Sequence, residues 1–328
     1  MDIEDPNQKD IEEDSKGAMF SRIKWVDKLH HKIWNGKHAG VFCMVISSSA
    51  YSIMGLLVKL LTRGSIPSSQ IVMARCSVIS ILAGIGLQRM NYPFFGSPKA
   101  RKLVIIRAIL GFFALSAYFY SIQLLPLRDA TMLNFTVPVF TAILATFFLH
   151  ERWGRAEMIG TLLSLLGVLL VIKPEALFSD SEAIEQTKRN ILIGTIMAVI
   201  GASTGALSYI VVRAIGQCGE PALVSVFAYA VFSTPMAGIC LLFQGAKLPS
   251  IVELVALFLV GLTAYMAQIF LTRGLQLEKA SRATSIQYVK VLITYFLGVV
   301  FLGEIPSIMG ALGGFLIAFS SVFISLHQ

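Results

Sequence analysis

Two stripes of polar side chains inside apolar stretches of the sequence are the residues best suited to hold a solute. The stripes consist of Thr131, Asn134 and Thr141, and of Thr284, Gln287 and Thr294. With Pro138, the first stripe advances in steps of three and four, which places its members on one face of a helix. Pro138 cannot donate a helical hydrogen bond and therefore frees the carbonyl of Asn134. The two stripes could bind a polar solute between them, or they could join neighbouring helices by hydrogen bonds.

Basic residues also occur inside the apolar stretches. Lys290 lies between Gln287 and Thr294, too deep for its ammonium group to reach the surface easily. A charge at such depth costs about 3 kcal/mol on insertion scales, so it needs a cavity or a partner. Since no Asp or Glu lies at similar depth, an anionic or strongly polar solute is the expected partner, with helix carbonyls or water as the alternatives. Arg75 is a second candidate for the cavity, whereas Arg107 is expected to extend its side chain to the membrane surface.

Four tyrosines are further candidates for contact with a solute: Tyr118, Tyr120, Tyr265 and Tyr288. A tyrosine ring can stack on a solute while its hydroxyl forms a hydrogen bond. Each of them could instead be a packing residue. Tyr118 and Tyr288 are included among the predicted binding residues.

Patterns typical of catalytic and metal sites are weak. Gly201–Gly205 fits GxSxG, the turn that presents a nucleophilic serine, but it lies inside an apolar helix. All five histidines lie in the N-terminal tail or at the ends of apolar stretches, so Ser203 has no base at its depth. The four cysteines form no CxxC pair. We therefore expect no enzyme activity, no metal and no cofactor.

The composition indicates which environment positions these residues. Hydrophobic residues make up 55% of the 328 residues and charged residues only 14%, with a mean hydropathy of +0.74. A soluble core could not bury so much apolar surface, so a lipid bilayer must cover much of it. The net charge of +8 is divided into short tracts between apolar stretches. That distribution is typical of topology control in membranes and does not favour a nucleic-acid partner.

Ten apolar segments have lengths near the roughly 20 residues that a membrane span needs. They are 39–61, 68–89, 102–124, 130–149, 155–172, 191–215, 222–243, 251–275, 283–302 and 306–326. Residues 1–38 are predicted to be a partly disordered tail, and the connection 173–190 divides the chain. The pattern predicts an all-α membrane protein.

The distribution of lysine and arginine predicts the orientation of the spans. If the N-terminus lies in the cytosol, the inner loops and the tail hold most of these residues. Both termini are therefore predicted to be cytosolic. Plasma membrane and endomembranes remain alternatives.

An internal repeat relates the two parts of the chain. At an offset of 153 residues, Asn134 falls on Gln287 and Glu151 on Glu304. The first spans match at 154, where Pro67 falls on Pro221. The predicted repeats, 39–172 and 191–326, each hold five helices. Because five is odd, the repeats must have opposite orientations in the membrane, as in many transporters.

Two glutamate-glycine hairpins resemble the closing signature of EamA-type drug/metabolite transporters. They are Glu151-Arg152-Trp153 with Gly160 and Gly167, and Gly303-Glu304 with Gly313. The stretch from Asp129 to Thr141 resembles the G-type branch of solute carrier family 35. This resemblance implies ten helices, cytosolic termini, and a central cavity lined by helices one to four and six to nine. The second half departs from the signature, since Ser320 stands where Gly167 stands in the first.

Secondary transport or exchange of a small polar, anionic metabolite by alternating access is the leading hypothesis. The alternatives are a receptor or scaffold without transport, and an intramembrane enzyme. Glu151 and Glu304 are expected to act on the helix dipoles near which they lie. Gly310 and Gly314 form a GxxxG pattern, which serves close packing within the monomer or a homodimer.

Overall fold

In the computed structural model, the chain forms a bundle of α-helices. The structure describes residues 38–63, 66–125, 133–151, 154–172, 185–302 and 308–326. Within these ranges the helices are α1 (Ala39–Arg63), α2 (Ser68–Arg89), α3 (Arg101–Leu124), α4 (Val137–Phe148), α5 (Arg155–Ile172), α6 (Glu185–Gln217), α7 (Ala222–Gln244), α8 (Ile251–Leu277), α9 (Ala280–Ile286), α10 (Val289–Leu302) and α11 (Ile308–Leu326). No strand occurs in these ranges.

Five of the helices are long and apolar enough to cross a membrane. They are α1 over residues 39–58, α2, α6 over residues 190–217, α7 and α8. Large apolar side chains such as Phe243, Phe147 and Phe315 are exposed on the outside of the bundle. Such a surface requires lipid around it, because water would leave this apolar area unfavourably solvated.

Successive helices run back and forth, so their connections meet at two ends of the bundle. We call the end at which α1 begins the near end; the connections after α2, α4, α6 and α8 lie there. At this end Glu220 accepts hydrogen bonds from the Tyr92 hydroxyl and the Ser97 amide, both at 3.0 Å. Burial and the bond to the Glu220 carboxylate raise the pKa of Tyr92. At the opposite far end, Gln70 exchanges two hydrogen bonds with the backbone of Lys247.

Helix packing follows the internal repeat. Helix α3 packs along α6, and α8 packs along α1, which are equivalent pairs in the two halves. The pairs α2–α7 and α5–α11 each join a helix to its own counterpart. Between α5 and α11, Gly167 lies so close that an added Cβ atom would be 2.7 Å from the Gly313 carbonyl oxygen. Each half therefore buries its surface against the other, and neither forms a separate core.

Both helices that carry the polar stripes are interrupted at equivalent positions. Before α4, residues 133–134 are helical and Phe135 and Thr136 form a turn. Residues 287–288 form the corresponding turn between α9 and α10. Pro138 opens the first turn of α4, where its missing N–H is not needed. The break lies between Asn134 and Pro138, the place expected for a proline that cannot donate to the Asn134 carbonyl.

Candidate functional site

A central cavity lies between the two halves, beside both helix breaks. Its volume is about 230 Å³. Its lining consists of Tyr51, Arg75, Arg107, Gly111, Ala114, Leu115, Tyr118, Asn134, Phe135, Val137, Pro138, Gly201, Gly205, Ser208, Tyr209, Tyr229, Gln268, Leu271, Gln287, Tyr288 and Lys290. Cationic, amide and hydroxyl groups thus converge on a cavity whose wall also contains aromatic rings and small apolar residues, a composition that can fix the orientation of a small molecule.

Arg75 contributes a positive charge from α2. One terminal nitrogen of its guanidinium donates a hydrogen bond of 3.1 Å to the hydroxyl of Tyr229 on α7. Its Nε is buried and has no hydrogen-bond partner among the described residues. An unpaired buried donor is costly unless a ligand or water satisfies it. Arg75 therefore has hydrogen-bonding capacity to offer to a solute.

Arg107 also faces the cavity, which corrects the expectation that it reaches the membrane surface. Only 4% of the residue is exposed, and its guanidinium carbon lies 5.0 Å from the centre of the Tyr229 ring. Gly111, one turn further along α3, makes this arrangement possible. A Cβ atom there would collide with Nη1 of Arg107 and would lie 2.8 Å from the Tyr229 ring. The Nε and Nη1 atoms of Arg107 are buried without a hydrogen-bond partner in the part of the chain described.

Lys290 lies just beyond the second helix break. Its Nζ lies 5.4 Å from the centre of the Phe135 ring and 5.9 Å from that of Tyr51, distances at which a ring face attracts a cation. The Ser52 hydroxyl donates to the backbone carbonyl of Lys290 at 3.0 Å, which fixes α10 against α1. No described carboxylate forms an ion pair with Lys290.

The cavity is therefore strongly positive in character. Arg75, Arg107 and Lys290 all line it, and the lining contains no Asp or Glu among the residues that the structure describes. Buried charges are normally paired, because desolvation of an isolated charge is expensive. A bound anion can neutralise these three cations, which no carboxylate of the described lining compensates.

The sequence-predicted binding residues divide into two groups. Asn134, Gln287, Tyr118 and Tyr288 line the cavity together with Arg75 and Lys290. Tyr51, Tyr209, Tyr229 and Gln268 line it too, although sequence reasoning did not single them out. Each is an isolated polar residue in an apolar helix, and only the helix packing turns it inwards.

Three of the predicted threonines do not line the cavity. Thr141 and Thr284 are fully buried and donate to carbonyls of their own helices, those of Val137 and Ala280. Thr294 donates to the Ser52 hydroxyl at 3.1 Å and so joins α10 to α1. Of these three, only Thr294 matches the alternative in which the stripes join neighbouring helices. Thr131 lies outside the described residues.

Polar contacts join helices of the two halves at the near end of the bundle. Glu151, in the connection before α5, forms an ion pair of 3.0 Å with Arg213 of α6. Its second carboxylate oxygen accepts a hydrogen bond of 2.9 Å from the backbone N–H of Ala280. Arg213 also donates to the Gln276 carbonyl at 2.5 Å. Glu151 thus lies at the first turn of α9, where a carboxylate meets the positive end of the helix dipole; Glu304 lies outside the described residues.

The remaining motifs are structural in this fold. The Ser203 hydroxyl donates to the Ile200 carbonyl of its own helix at 3.0 Å. Gly314 packs within the chain, since an added Cβ would lie 3.0 Å from the Leu292 side chain. No cluster of potential metal ligands occurs among the described residues.

The chain resembles known proteins in sequence and in fold. The sequence model of the EamA-like transporter family matches residues 38–173 and again residues 192–326. Solute carrier family 35 member G1 of Mus musculus is 28% identical over 272 residues, covering 82% of this chain and 73% of the mouse protein. The pseudopaline exporter CntI of Pseudomonas aeruginosa is 27% identical over 295 residues, covering 88% of this chain and 96% of the exporter.

Two further proteins resemble the chain, one in sequence and one in fold. The S-adenosylmethionine uptake transporter of Rickettsia conorii is 24% identical over 220 residues, covering 67% of this chain and 70% of that protein. A solved crystal structure superimposes with a TM-score of 0.74 over 88% of this chain and 96% of that chain, at 16% identity. At that identity the structural match concerns the fold alone.

Proposed function

Because the chain belongs to the EamA-like transporter family, we propose that it is a secondary transporter or exchanger that carries a small anionic metabolite by alternating access of its two halves. The chain is a multi-pass membrane protein, and its family and relatives are transporters, not enzymes. The relatives include an exporter and an uptake transporter by name. The proposal concerns the chemistry of the solute and the mechanism of its movement.

The observation that carries the proposal is the set of cations in the cavity. Arg75, Arg107 and Lys290 face it from α2, α3 and α10. The described lining offers them no carboxylate, so the solute would supply the negative charge. Asn134 and Gln287, at the two helix breaks, would hydrogen-bond its polar groups. A site built at broken helices between repeats is the arrangement that alternating access requires.

The topology proposed for this cycle has ten spans in two inverted repeats. Helix α2 packs on α7 and α5 on α11, as expected when equivalent helices meet around a two-fold axis. With five spans in each half, that axis lies in the membrane plane. We propose that the near end faces the cytosol, because the basic loops and the start of α1 lie there.

In the proposed cycle, the arrangement described here would be one of the two states. The near end is held by the ion pair between Glu151 and Arg213 and by the bond from Ala280 to Glu151. Breaking these contacts would release α9 from the first half. In this mechanism the near end closes while the solute is exchanged at the far end, and opens in the other state.

A ligand screen on the purified protein tests the proposal. Thermal unfolding would be followed with phosphorylated metabolites, carboxylates, nucleotide-sugars, amino acids and cationic drugs, for the wild type, Lys290→Ala and Lys102→Ala. Lys102 is exposed at the start of α3 and serves as a matched control. We expect one anionic class to stabilise the wild type and the control but not Lys290→Ala. Uptake of that solute into proteoliposomes should then follow the same order. Stabilisation by cations, or an equal response of all three proteins, would refute the anion site.

A further inference from the structure

A second, apolar chamber adjoins the central cavity in the far half of the bundle. Its volume is about 630 Å³. Helices α2, α3, α6 and α7 line it. Apolar side chains such as Val72, Phe112 and Met197 form most of its surface, and hydroxyl and amide groups such as those of Thr204 and Gln244 form the rest. No charged residue lines this chamber in the described part of the chain.

The chamber lies between two pairs of these helices, α3 with α6 and α2 with α7. In the near half a buried cluster joins all four helices; it consists of Leu87, Val104, Ile215 and Val224. In the far half α3 still packs closely on α6, since a Cβ atom added at Gly201 would lie 3.2 Å from the amide nitrogen of Tyr118. Small residues such as Ala117 and Ala237 face the gap between the two pairs there and leave it open.

The apolar chamber is adjacent to the cation-lined cavity. Leu115 of α3 lines both of them. Its neighbour Ala114 lines the central cavity, and its other neighbour Ser116 lines the apolar chamber. A ligand that passes the Leu115 side chain therefore contacts both environments at once.

From this juxtaposition we infer that the transported anion carries an apolar substituent, which occupies the chamber while the anionic group binds Arg75, Arg107 and Lys290. This inference rests on the proposed transport of an anion and specifies its class as amphiphilic. A path used only by a fully hydrated anion would favour polar walls, since apolar walls offer no hydrogen bonds to its water shell. An apolar substituent, in contrast, gains free energy by leaving water for this chamber.

A series of straight-chain carboxylates from acetate to octanoate tests the inference on the wild-type protein. The dissociation constant of each would be measured by calorimetry in detergent, with the matching n-alcohols run beside them. We expect affinity to rise about fourfold for each added methylene, the gain typical of burying one such group, and the alcohols to bind far more weakly. Affinity that is flat along the series, while the short anions bind, would overturn the inference and leave the anion site standing. If no carboxylate binds and the wider panel of anions also fails, the proposed function falls with it.

Filling the chamber provides a second measurement. Ala117→Phe and Ala237→Phe place a ring in it, and Ile239→Phe adds a ring on the outer surface of α7, where the side chain is 48% exposed. The two filling variants should lose the dependence on chain length and still bind acetate, whereas Ile239→Phe should keep it. If octanol binds as tightly as octanoate and Lys290→Ala leaves both unchanged, the chamber is a lipid site and the inference is wrong.

Discussion

The hydroxyl of Tyr288 donates a hydrogen bond of 2.7 Å to the backbone carbonyl of Phe135, the residue that precedes it by 153 positions. This separation equals the offset of the internal repeat, so the two residues are equivalents that meet each other. Arg75 and Tyr229 form a second such pair, 154 positions apart. Equivalent residues can touch only near the axis that relates the two halves. The axis therefore passes through the central cavity.

The charges of the cavity depart from this symmetry. Arg75 faces its equivalent Tyr229, and Lys290 corresponds to Val137 in the first half. The repeat thus provides the framework of helices. These two cations stand at positions whose equivalents in the other half carry no charge. A site with this asymmetry can hold an anion in one preferred orientation.

Replacement of Tyr288 by Phe should loosen the junction between the two helix breaks. The Phe135 carbonyl lacks a helical partner, because the Val139 amide donates to the Thr136 carbonyl instead. Loss of the bond should cost about 1 kcal/mol or more, since a buried acceptor is left unsatisfied. Thermal unfolding of the purified variant would measure this. Tyr265→Phe on α8 is the control. An equal loss of stability in both variants would show that the bond from Tyr288 to Phe135 does not stabilise the junction.

Replacement of Lys290 by Met should act in opposite directions on the free and the liganded protein. Removal of an uncompensated buried charge is expected to raise the stability of the free protein. The affinity for an anion should fall by at least about 30-fold, corresponding to loss of about 2 kcal/mol of a buried charge interaction. Unfolding temperature with and without ligand would separate the two effects. A fall in free stability with unchanged affinity would contradict the assignment.

The substitution Gly111→Ala should displace Arg107 without a change of charge. The new Cβ would occupy the space of Nη1 and press on the Tyr229 ring. We expect roughly tenfold weaker anion binding, about 1.4 kcal/mol, because the guanidinium would leave its position. Gly205→Ala is the matched control: it lines the same cavity, and its nearest neighbour would be 3.8 Å away. Equal binding by both variants would show that the Arg107 position is unimportant.

Exchange of the charges between Glu151 and Arg213 should fail to restore the near end. Each single change, Glu151→Gln or Arg213→Gln, should destabilise the protein by about 1–3 kcal/mol through loss of a partly buried network. In the exchanged protein, Glu151→Arg with Arg213→Glu, an arginine would face the N–H of Ala280, which needs an acceptor. Thermal unfolding of these three variants and the wild type would report this. Full recovery in the exchanged protein would show that the ion pair alone matters.

Opening of the near end could be followed in the same variants. Cys43, near the start of α1, is fully buried in this state. If Glu151 holds the near end closed, Glu151→Gln should raise the rate at which a thiol reagent modifies Cys43. An unchanged rate would show that the Glu151 contacts stabilise the protein without controlling the opening of the near end.

The sequence alone determined the helical class, the membrane environment, the repeat and the family. The family prediction is confirmed by two matches to the EamA-like model, one in each half. These properties are recorded locally, in runs of apolar residues and in residues repeated at a constant offset. The prediction that Lys290 needs a cavity or a partner also rests on local information, because the depth of a residue in its span can be counted along the chain. The ten-span count and the orientation of the termini remain predictions.

Only the tertiary structure decided which side chains meet. Depth in the sequence placed Arg107 near the surface, yet the absence of a side chain at Gly111 lets it fold back over Tyr229. The partners of Glu151 likewise come from distant parts of the chain, at Arg213 and Ala280. Such contacts depend on the rotation of each helix about its axis and on its neighbours. Neither is fixed by the hydropathy of a span, because every face of a helix in a bilayer can be apolar.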